Sequence, residues 1–227
     1  RHALRKGDPM TNADLTLIAA LLDRSGSMAG CKRATETGFD EMIAKQRCAP
    51  GEANVTLSMF DDVYENVYSN VPIADVDPLN LLPRNTTAML DAIGRFIAEV
   101  GEYLAGLDET DRPGTVICLI MTDGYENASQ EWSWEAVRAL ITQQRDLYSW
   151  NFIFLGANID AVQVGGRIGV PMATAMTYSA DDDVAVHATY GSVGREMLGA
   201  RSGRAMDFTD EDRRQSGGGA STKSKKQ

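Results

Sequence analysis

The 227-residue sequence has few of the side chains that most hydrolases and structural metal sites need. It contains two histidines, His2 and His187, and three scattered cysteines that form no C-x-x-C pair. A serine hydrolase needs a histidine base, and a zinc knuckle or a disulfide framework needs closely spaced cysteines. None of these is therefore indicated, and we expect reduced thiols in a cytoplasmic protein.

Several sequence motifs are also missing. The chain has no G-x-S-x-G elbow and no P-loop, and its glycine cluster at residues 165–169 lacks the spacing of a dinucleotide loop. A phosphotransferase of the haloacid-dehalogenase type needs D-x-D after its first strand, but Ser25 occupies the second acidic position. The first apolar run, residues 15–22, is too short to cross a membrane. These absences favour a binding function over catalysis.

Basic residues are outnumbered by acidic ones. Lys and Arg total 22 and Asp and Glu total 32, for a net charge of −10. Residues 1–9 and 210–227 each carry a net +2, so the rest of the chain carries −14. The electrostatic field of this negative charge repels nucleic acid and anionic membranes, so we exclude both as partners. A divalent cation or a basic patch on a partner protein suits it better.

The length fits one domain between two polar ends. Met10 resembles a natural start, so we expect residues 1–9 to be an expression-derived or disordered extension. Residues 10–208 are predicted to form a single domain. Residues 209–227 contain no large apolar side chain, and we expect them to be a disordered polar tail.

Apolar strand patterns alternate with amphipathic helix patterns along the domain. Strands are predicted at residues 15–22, 55–60, 63–71, 115–121, 151–155 and 173–178. Helices are predicted at residues 32–47, 90–104, 132–148, 161–168 and 181–201. This order predicts an α/β fold of three α/β/α layers, Rossmann-like, with helices on both faces of a mostly parallel sheet. The alternating polarity of residues 63–71 predicts an edge strand.

Polar segments follow two of the buried strands, and a third polar segment precedes a helix. These segments are residues 23–27 (DRSGS), 122–127 (TDGYEN) and 85–93 (NTTAMLDAI). Ligands of doubly wound sheets bind at the carboxyl ends of the strands, so we expect Asp23, Asp123 and several hydroxyl groups to converge there. Such hard oxygen donors suit Mg²⁺, Mn²⁺ or Ca²⁺ and not copper or zinc.

These segments resemble a known family. Residues 23–27 match the D-x-S-x-S signature of the von Willebrand factor type A (vWA) family. Residues 87–93 resemble its T-x-L-x-D-A segment, with Met89 in place of leucine, and residues 122–124 resemble its T-D-G. The resemblance extends over about residues 14 to 200 and implies the vWA fold.

The resemblance also implies a metal-ion-dependent adhesion site (MIDAS) at the upper edge of the sheet. Ser25, Ser27 and Thr87 would supply hydroxyl oxygens to the metal. Asp23 and Asp123 would either bind the metal or form hydrogen bonds to the hydroxyls and waters around it. Because neutral hydroxyls leave the cation short of negative charge, its open position would attract an Asp or Glu of a partner.

The sequence departs from the family pattern ahead of the threonine. Asn85 and Thr86 stand where the family often has two glycines, so Thr86 is an alternative ligand to Thr87, although the position of Asp91 favours Thr87. Glu126 either tunes the site or is a solvated loop charge, and we favour the second interpretation.

The implied function is a metal-dependent protein-binding module without catalytic activity. A metal-dependent hydrolase or phosphotransferase that uses the same carboxylates, and a metal-free scaffold, remain alternatives. Residues 150–160 resemble the stand-alone vWA proteins of bacteria and phages. Some of those proteins work beside MoxR-type AAA+ ATPases, so the resemblance suggests such an ATPase or an assembly component as the partner.

Overall fold

A six-stranded sheet forms the centre of the molecule in the computed structural model, which describes residues 11–157 and 159–218. The strands are β1 (Asn12–Asp23), β2 (Glu52–Phe60), β3 (Tyr64–Pro72), β4 (Pro113–Thr122), β5 (Asn151–Ala157) and β6 (Ala175–Tyr178). Their order across the sheet is β3-β2-β1-β4-β5-β6. The edge strand β3 runs antiparallel to β2, and the other neighbouring pairs are parallel.

Helices cover both faces of this sheet. They are α1 (Lys32–Arg47), α2 (Met89–Ala105), α3 (Trp134–Tyr148), α4 (Ala161–Arg167), α5 (Asp183–Arg201) and α6 (Asp210–Gln215). Helices α1 and α5 bury their apolar side chains against one face, and α2, α3 and α4 against the other. The predicted three-layer α/β/α fold is therefore confirmed. No helix in the described part of the chain is both long and apolar enough to span a bilayer.

The central strand β1 has an uninterrupted apolar run, and packing on both of its faces explains this run. Successive side chains of a strand point to opposite faces. Ile18 and Leu22 pack in the layer of α1 and α5, whereas Leu17 and Leu21 pack in the layer of α2, α3 and α4. Because both faces are covered, no position from Leu17 to Leu22 meets water.

The C-terminal segment differs from its prediction. Residues 209–218 are not disordered: Thr209 and Asp212 form a capping box at the start of α6. The Asp212 carboxylate also accepts hydrogen bonds from Ser192 and Arg195 of α5, and Ser179 N–H donates to Ser216 O at 2.8 Å. Burial through polar contacts orders this segment without large apolar residues. The predicted extension at residues 1–9, and residues 219–227 of the predicted tail, lie outside the described residues.

Candidate metal-binding site

The ends of β1 and β4 bring the two predicted carboxylates together. The last residue pair between these strands is Leu22 with Met121, so each strand delivers its next residues to the same edge of the sheet. Thr122 donates a hydrogen bond from Oγ1 to Asp23 Oδ2 at 2.6 Å. Asp123 follows Thr122 directly and therefore lies beside the loop that leaves β1.

The turn after β1 directs two serine hydroxyls at Asp123. Ser25 N–H donates to Asp23 Oδ1 at 2.6 Å, which closes the turn. Ser27 Oγ then lies 2.7 Å from Asp123 Oδ1, and Ser25 Oγ lies 3.4 Å from the same oxygen and 3.2 Å from Ser27 Oγ. Three of the predicted side chains, from two strand ends, thus form one oxygen cluster.

Thr87 reaches the same edge from the loop before α2. A methyl group at Gly124 would lie 3.0 Å from Thr87 Oγ1, so the Thr87 hydroxyl faces the residue after Asp123. Thr87 is buried, and its backbone is paired with Asn127: Thr87 N–H donates to Asn127 Oδ1, and Asn127 N–H donates to Thr87 O. Thr86 is exposed and lines a separate cavity. The structure therefore places Thr87, not Thr86, against the loop that carries Asp123.

Asn85 occupies the position where the family often has glycine, and its backbone explains this preference. Its φ is +59°, in the left-handed region that asparagine tolerates better than most residues. Gly26 N–H donates to Asn85 O at 3.2 Å, which joins the loop before α2 to the turn after β1. Asn85 thus adopts a backbone conformation that glycine adopts readily.

Glu126 has a structural role that sequence reasoning missed. The interpretation of a solvated loop charge is wrong, because its carboxylate accepts hydrogen bonds from Leu90 N–H, Ala128 N–H, and both N–H and Oγ of Ser129. The residue before α2, Ala88, has no capping side chain, so Glu126 caps this helix from a different loop. Sequence spacing gave no signal for a cap that comes from a distant segment.

Asp91 fixes the other end of the same loop. Its carboxylate accepts hydrogen bonds from three consecutive backbone N–H groups, those of Gln130, Glu131 and Trp132. The family pattern signalled that Asp91 matters, but not that it holds the loop after β4. Together, Asp91 and Glu126 hold the loop of Asp123 against α2.

The two site carboxyl groups differ from ordinary surface groups in their electrostatics. Asp23 is 0% exposed, and burial raises its pKa to about 6 although hydrogen bonds from Thr122 and Ser25 oppose the shift. Burial also raises the pKa of Asp123, against the hydrogen bonds from Ser27 and Ser25. No ion pair within residues 11–157 and 159–218 includes either of these carboxylates. Among the described residues, no basic side chain neutralises their negative charge.

The buried carboxylate that follows β2, in contrast, has positively charged partners. Asp61, directly after β2, is also 0% exposed, but it accepts hydrogen bonds from the guanidinium groups of Arg24 at 3.2 Å and Arg84 at 2.6 Å. Burial acts to raise the pKa of Asp61, but hydrogen bonds from Arg84 and Val63 N–H and the charge of Arg24 outweigh it, so the pKa falls. Arg24 also pairs with Glu65. This is a structural ion network.

The oxygen cluster fits a divalent cation. Neighbouring ligands of an octahedral Mg²⁺ lie about 3.0 Å apart, given metal–oxygen distances of roughly 2.1 Å. The three distances among Ser25, Ser27 and Asp123, 2.7, 3.2 and 3.4 Å, bracket that value. No group of three or more His, Cys, Asp or Glu within the described residues could hold a metal, so a cation here would take hydroxyl ligands.

His187 takes no part in this site. Its Nδ1 lies 3.5 Å from Glu41 Oε2, which pairs α5 with α1. None of the contacts described for His187 involves the oxygen cluster. This placement indicates a structural role for His187.

Comparisons with known proteins were made by sequence and by structure. No protein-family model and no curated protein matches the sequence. Among solved structures, a von Willebrand factor type A protein from Catenulispora acidiphila is similar, at 13% identity and a TM-score of 0.58, over 84% of this chain and 43% of that one.

Two further solved structures are similar. Proximal thread matrix protein 1 of the mussel byssus, described with a zinc-occupied MIDAS motif, has 14% identity and a TM-score of 0.58, over 81% of this chain and 46% of that one. The vWF domain of the type V pili tip protein Mfa5 from Porphyromonas gingivalis has 9% identity and a TM-score of 0.55, over 86% and 98%. The chain spans less than half the length of the first two structures. The chain has the von Willebrand factor type A fold.

Proposed function

We propose that this chain is a metal-dependent protein-binding module. A divalent cation, Mg²⁺ or else Mn²⁺ or Ca²⁺, would be held by Ser25, Ser27 and Thr87 together with Asp123. The bound cation would supply an electrophilic position for a carboxylate of a partner protein, from Asp or Glu.

The chain's own residues prepare this position. Asp23 uses both of its oxygens, for Ser25 N–H and Thr122 Oγ1, so it orients the turn that carries the two serines. Asp123 Oδ1 accepts hydrogen bonds from the hydroxyl groups of Ser25 and Ser27 and so holds the two hydroxyls close together. Glu126 and Asn127 fix the loops that carry Thr87 and Asp123.

One observation carries the proposal: Asp23 and Asp123 converge with hydroxyl groups at an edge where the described part of the chain supplies no positive partner. Buried carboxylates are ordinarily paired or bound to a metal, because an isolated buried charge is costly. The mussel protein, which has a similar fold, is described with a zinc-occupied MIDAS motif, and this supports the binding of a divalent cation. Serine and threonine ligands are uncharged, so a cation held here would keep affinity for an external anion.

The proposal is tested by the water-proton relaxation of Mn²⁺ bound to the protein. A bound Mn²⁺ with open positions should enhance relaxation. An acetylated and amidated alanine peptide with one glutamate should reduce the enhancement by displacing water, and the same peptide with glutamine should not.

Two variants provide the comparison. Asp123→Ala should abolish the enhancement, whereas Asp62→Ala, at an exposed carboxylate near the same edge, should behave like the wild type. Equal quenching by the glutamate and glutamine peptides would contradict capture of a carboxylate.

No observation in the structure favours the hydrolase, the phosphotransferase or the metal-free scaffold over this function. The proposal involves no catalytic step. A MoxR-type AAA+ ATPase or assembly component as the partner, a cytoplasmic location and a bacterial or phage origin remain predictions.

A further inference from the structure

A small cavity adjoins the metal-binding edge on the side of α4. It has a volume of about 270 Å³, and Gly124 and Tyr125, which follow Asp123, form part of its wall. The buried side chains of Met89, Ile159 and Val164 also line it. Apolar side chains thus form part of the cavity wall, and the wall begins at the residue that follows Asp123.

Arg167, at the end of α4, lines the same cavity and is held in place by an aromatic ring. Its guanidinium carbon lies 3.7 Å from the centroid of the Trp134 ring. Stacking on a tryptophan face restrains the guanidinium while leaving its N–H groups available. Within the described residues, no hydrogen bond or ion pair occupies those N–H groups.

The other charged group of the cavity wall is already satisfied. Glu126 accepts four hydrogen bonds from Leu90, Ala128 and Ser129, which stabilise its charge. The charge of Arg167 interacts with that of Glu135, but no ion pair joins them, so among the described residues of this wall Arg167 is the charged group whose N–H groups can bind a ligand. A planar guanidinium with free N–H groups pairs best with a carboxylate, often through two parallel hydrogen bonds.

The cavity wall also includes an exposed aromatic side chain. Tyr125 lines the cavity, is 65% exposed and lies in the loop that carries Asp123. Tyrosine and arginine are enriched at protein interfaces because they combine apolar area with hydrogen bonding. On a chain of net charge −10, a restrained cation in a cavity marks a place where an acidic ligand would be attracted.

We propose that this cavity binds a second carboxylate of the partner, on Arg167, beside the carboxylate captured by the cation. The partner segment would thus be a diacidic peptide. This inference rests on the proposed function, since the first carboxylate needs the metal.

The test uses fluorescein-labelled, acetylated and amidated alanine peptides and the Mn²⁺-loaded protein, with binding followed by fluorescence anisotropy. One series has a single glutamate, and the other has two glutamates separated by zero to four alanines. A further peptide takes its second carboxylate from a free C-terminus, so a side-chain source and a terminal source can be told apart.

We expect one diacidic spacing to bind at least tenfold more tightly than the same peptide with glutamine at the second position. Arg167→Gln should remove this gain and leave single-glutamate binding unchanged. Arg138→Gln, at an exposed arginine of α3, is the matched control and should keep the gain.

The two proposals fail in different ways. If single-glutamate peptides bind but no spacing adds affinity, or if the gain survives in Arg167→Gln, the second subsite is wrong and the proposed function stands. If no peptide binds in the presence of Mn²⁺, the proposed function is wrong and this inference falls with it.

Discussion

Two buried carboxylates end adjacent strands of this sheet, and the protein surrounds them in opposite ways. Asp61 after β2 is held by the guanidinium groups of Arg24 and Arg84, and its pKa is lowered. Asp23 at the end of β1 accepts hydrogen bonds from Ser25 N–H and Thr122 Oγ1, both uncharged donors, and burial raises its pKa to about 6.

Under the proposed function, this difference separates a structural carboxylate from one that takes part in metal binding. Both are equally buried, so burial alone does not distinguish them. What differs is the source of positive charge: the chain provides it for Asp61, and at Asp23 the described residues provide none. An external cation would supply positive charge at Asp23, as Arg24 and Arg84 supply it at Asp61.

Replacing each carboxylate by its amide tests this contrast most strongly. Asp61→Asn leaves the buried Arg24 with only the half-exposed Glu65 as an acidic partner, and we expect a loss of about 3 kcal/mol in the free energy of unfolding. Asp23→Asn removes a charge that has no basic partner among the described residues, so stability in EDTA at pH 7.5 should be unchanged or higher. Urea unfolding measures the free energy of unfolding of both variants. A similar loss in the two variants would show that Asp61 and Asp23 do not differ in this way.

Asp212 offers a third buried carboxylate with a smaller expected effect. Burial acts to raise its pKa, but hydrogen bonds from Thr209, Arg195 and Ser192 outweigh it and lower the pKa to about 2. Because the folded pKa lies below the usual value of 3.8, ionised Asp212 stabilises the fold above about pH 4, by about 2 kcal/mol. This contribution is lost as the pH falls from about 4 to about 2.

The measurement for Asp212 is the difference in unfolding free energy between wild type and Asp212→Asn. It should be constant from pH 5 to pH 7 and shrink as the pH falls below 4. A difference that does not change with pH would show that the pairing with Arg195 contributes nothing through charge.

Substitutions of the neighbouring residues Thr86 and Thr87 test the smallest expected effect, which is a change in Mn²⁺ affinity. Thr87→Val removes a hydroxyl that faces the site, and we expect a loss of about 1.4 kcal/mol, or tenfold, in Mn²⁺ affinity. Thr86→Val, at an exposed position, should leave the affinity unchanged. The reverse order of effects would assign the ligand to Thr86.

Much of this fold could be predicted from the sequence, because buried parallel strands leave a direct pattern. Residues 15–22 and 115–121 are apolar at every position or nearly so, and both proved to be central strands covered on two faces. The C-terminal helix escaped prediction because its order depends on polar burial. Asp212 is buried by Ser192 and Arg195, which lie far from it in sequence, and no local pattern reports such contacts.

The candidate site was predictable to the same extent. Strand ends and motif spacing placed Asp23, Ser25 and Asp123 at one edge, where the structure has them. The helix cap by Glu126 and the pairing of Asp61 with two arginines were not foreseen. Both depend on how separate loops meet in three dimensions.

Metal binding at the Asp23–Asp123 edge is measured most directly by isothermal titration calorimetry. Mg²⁺ and Mn²⁺ should each bind the wild type at one site, Asp123→Ala should show no binding, and Asp62→Ala should match the wild type. If neither ion binds the wild type, or if Asp123→Ala binds as well as the wild type does, the site is not a metal site and the account is contradicted.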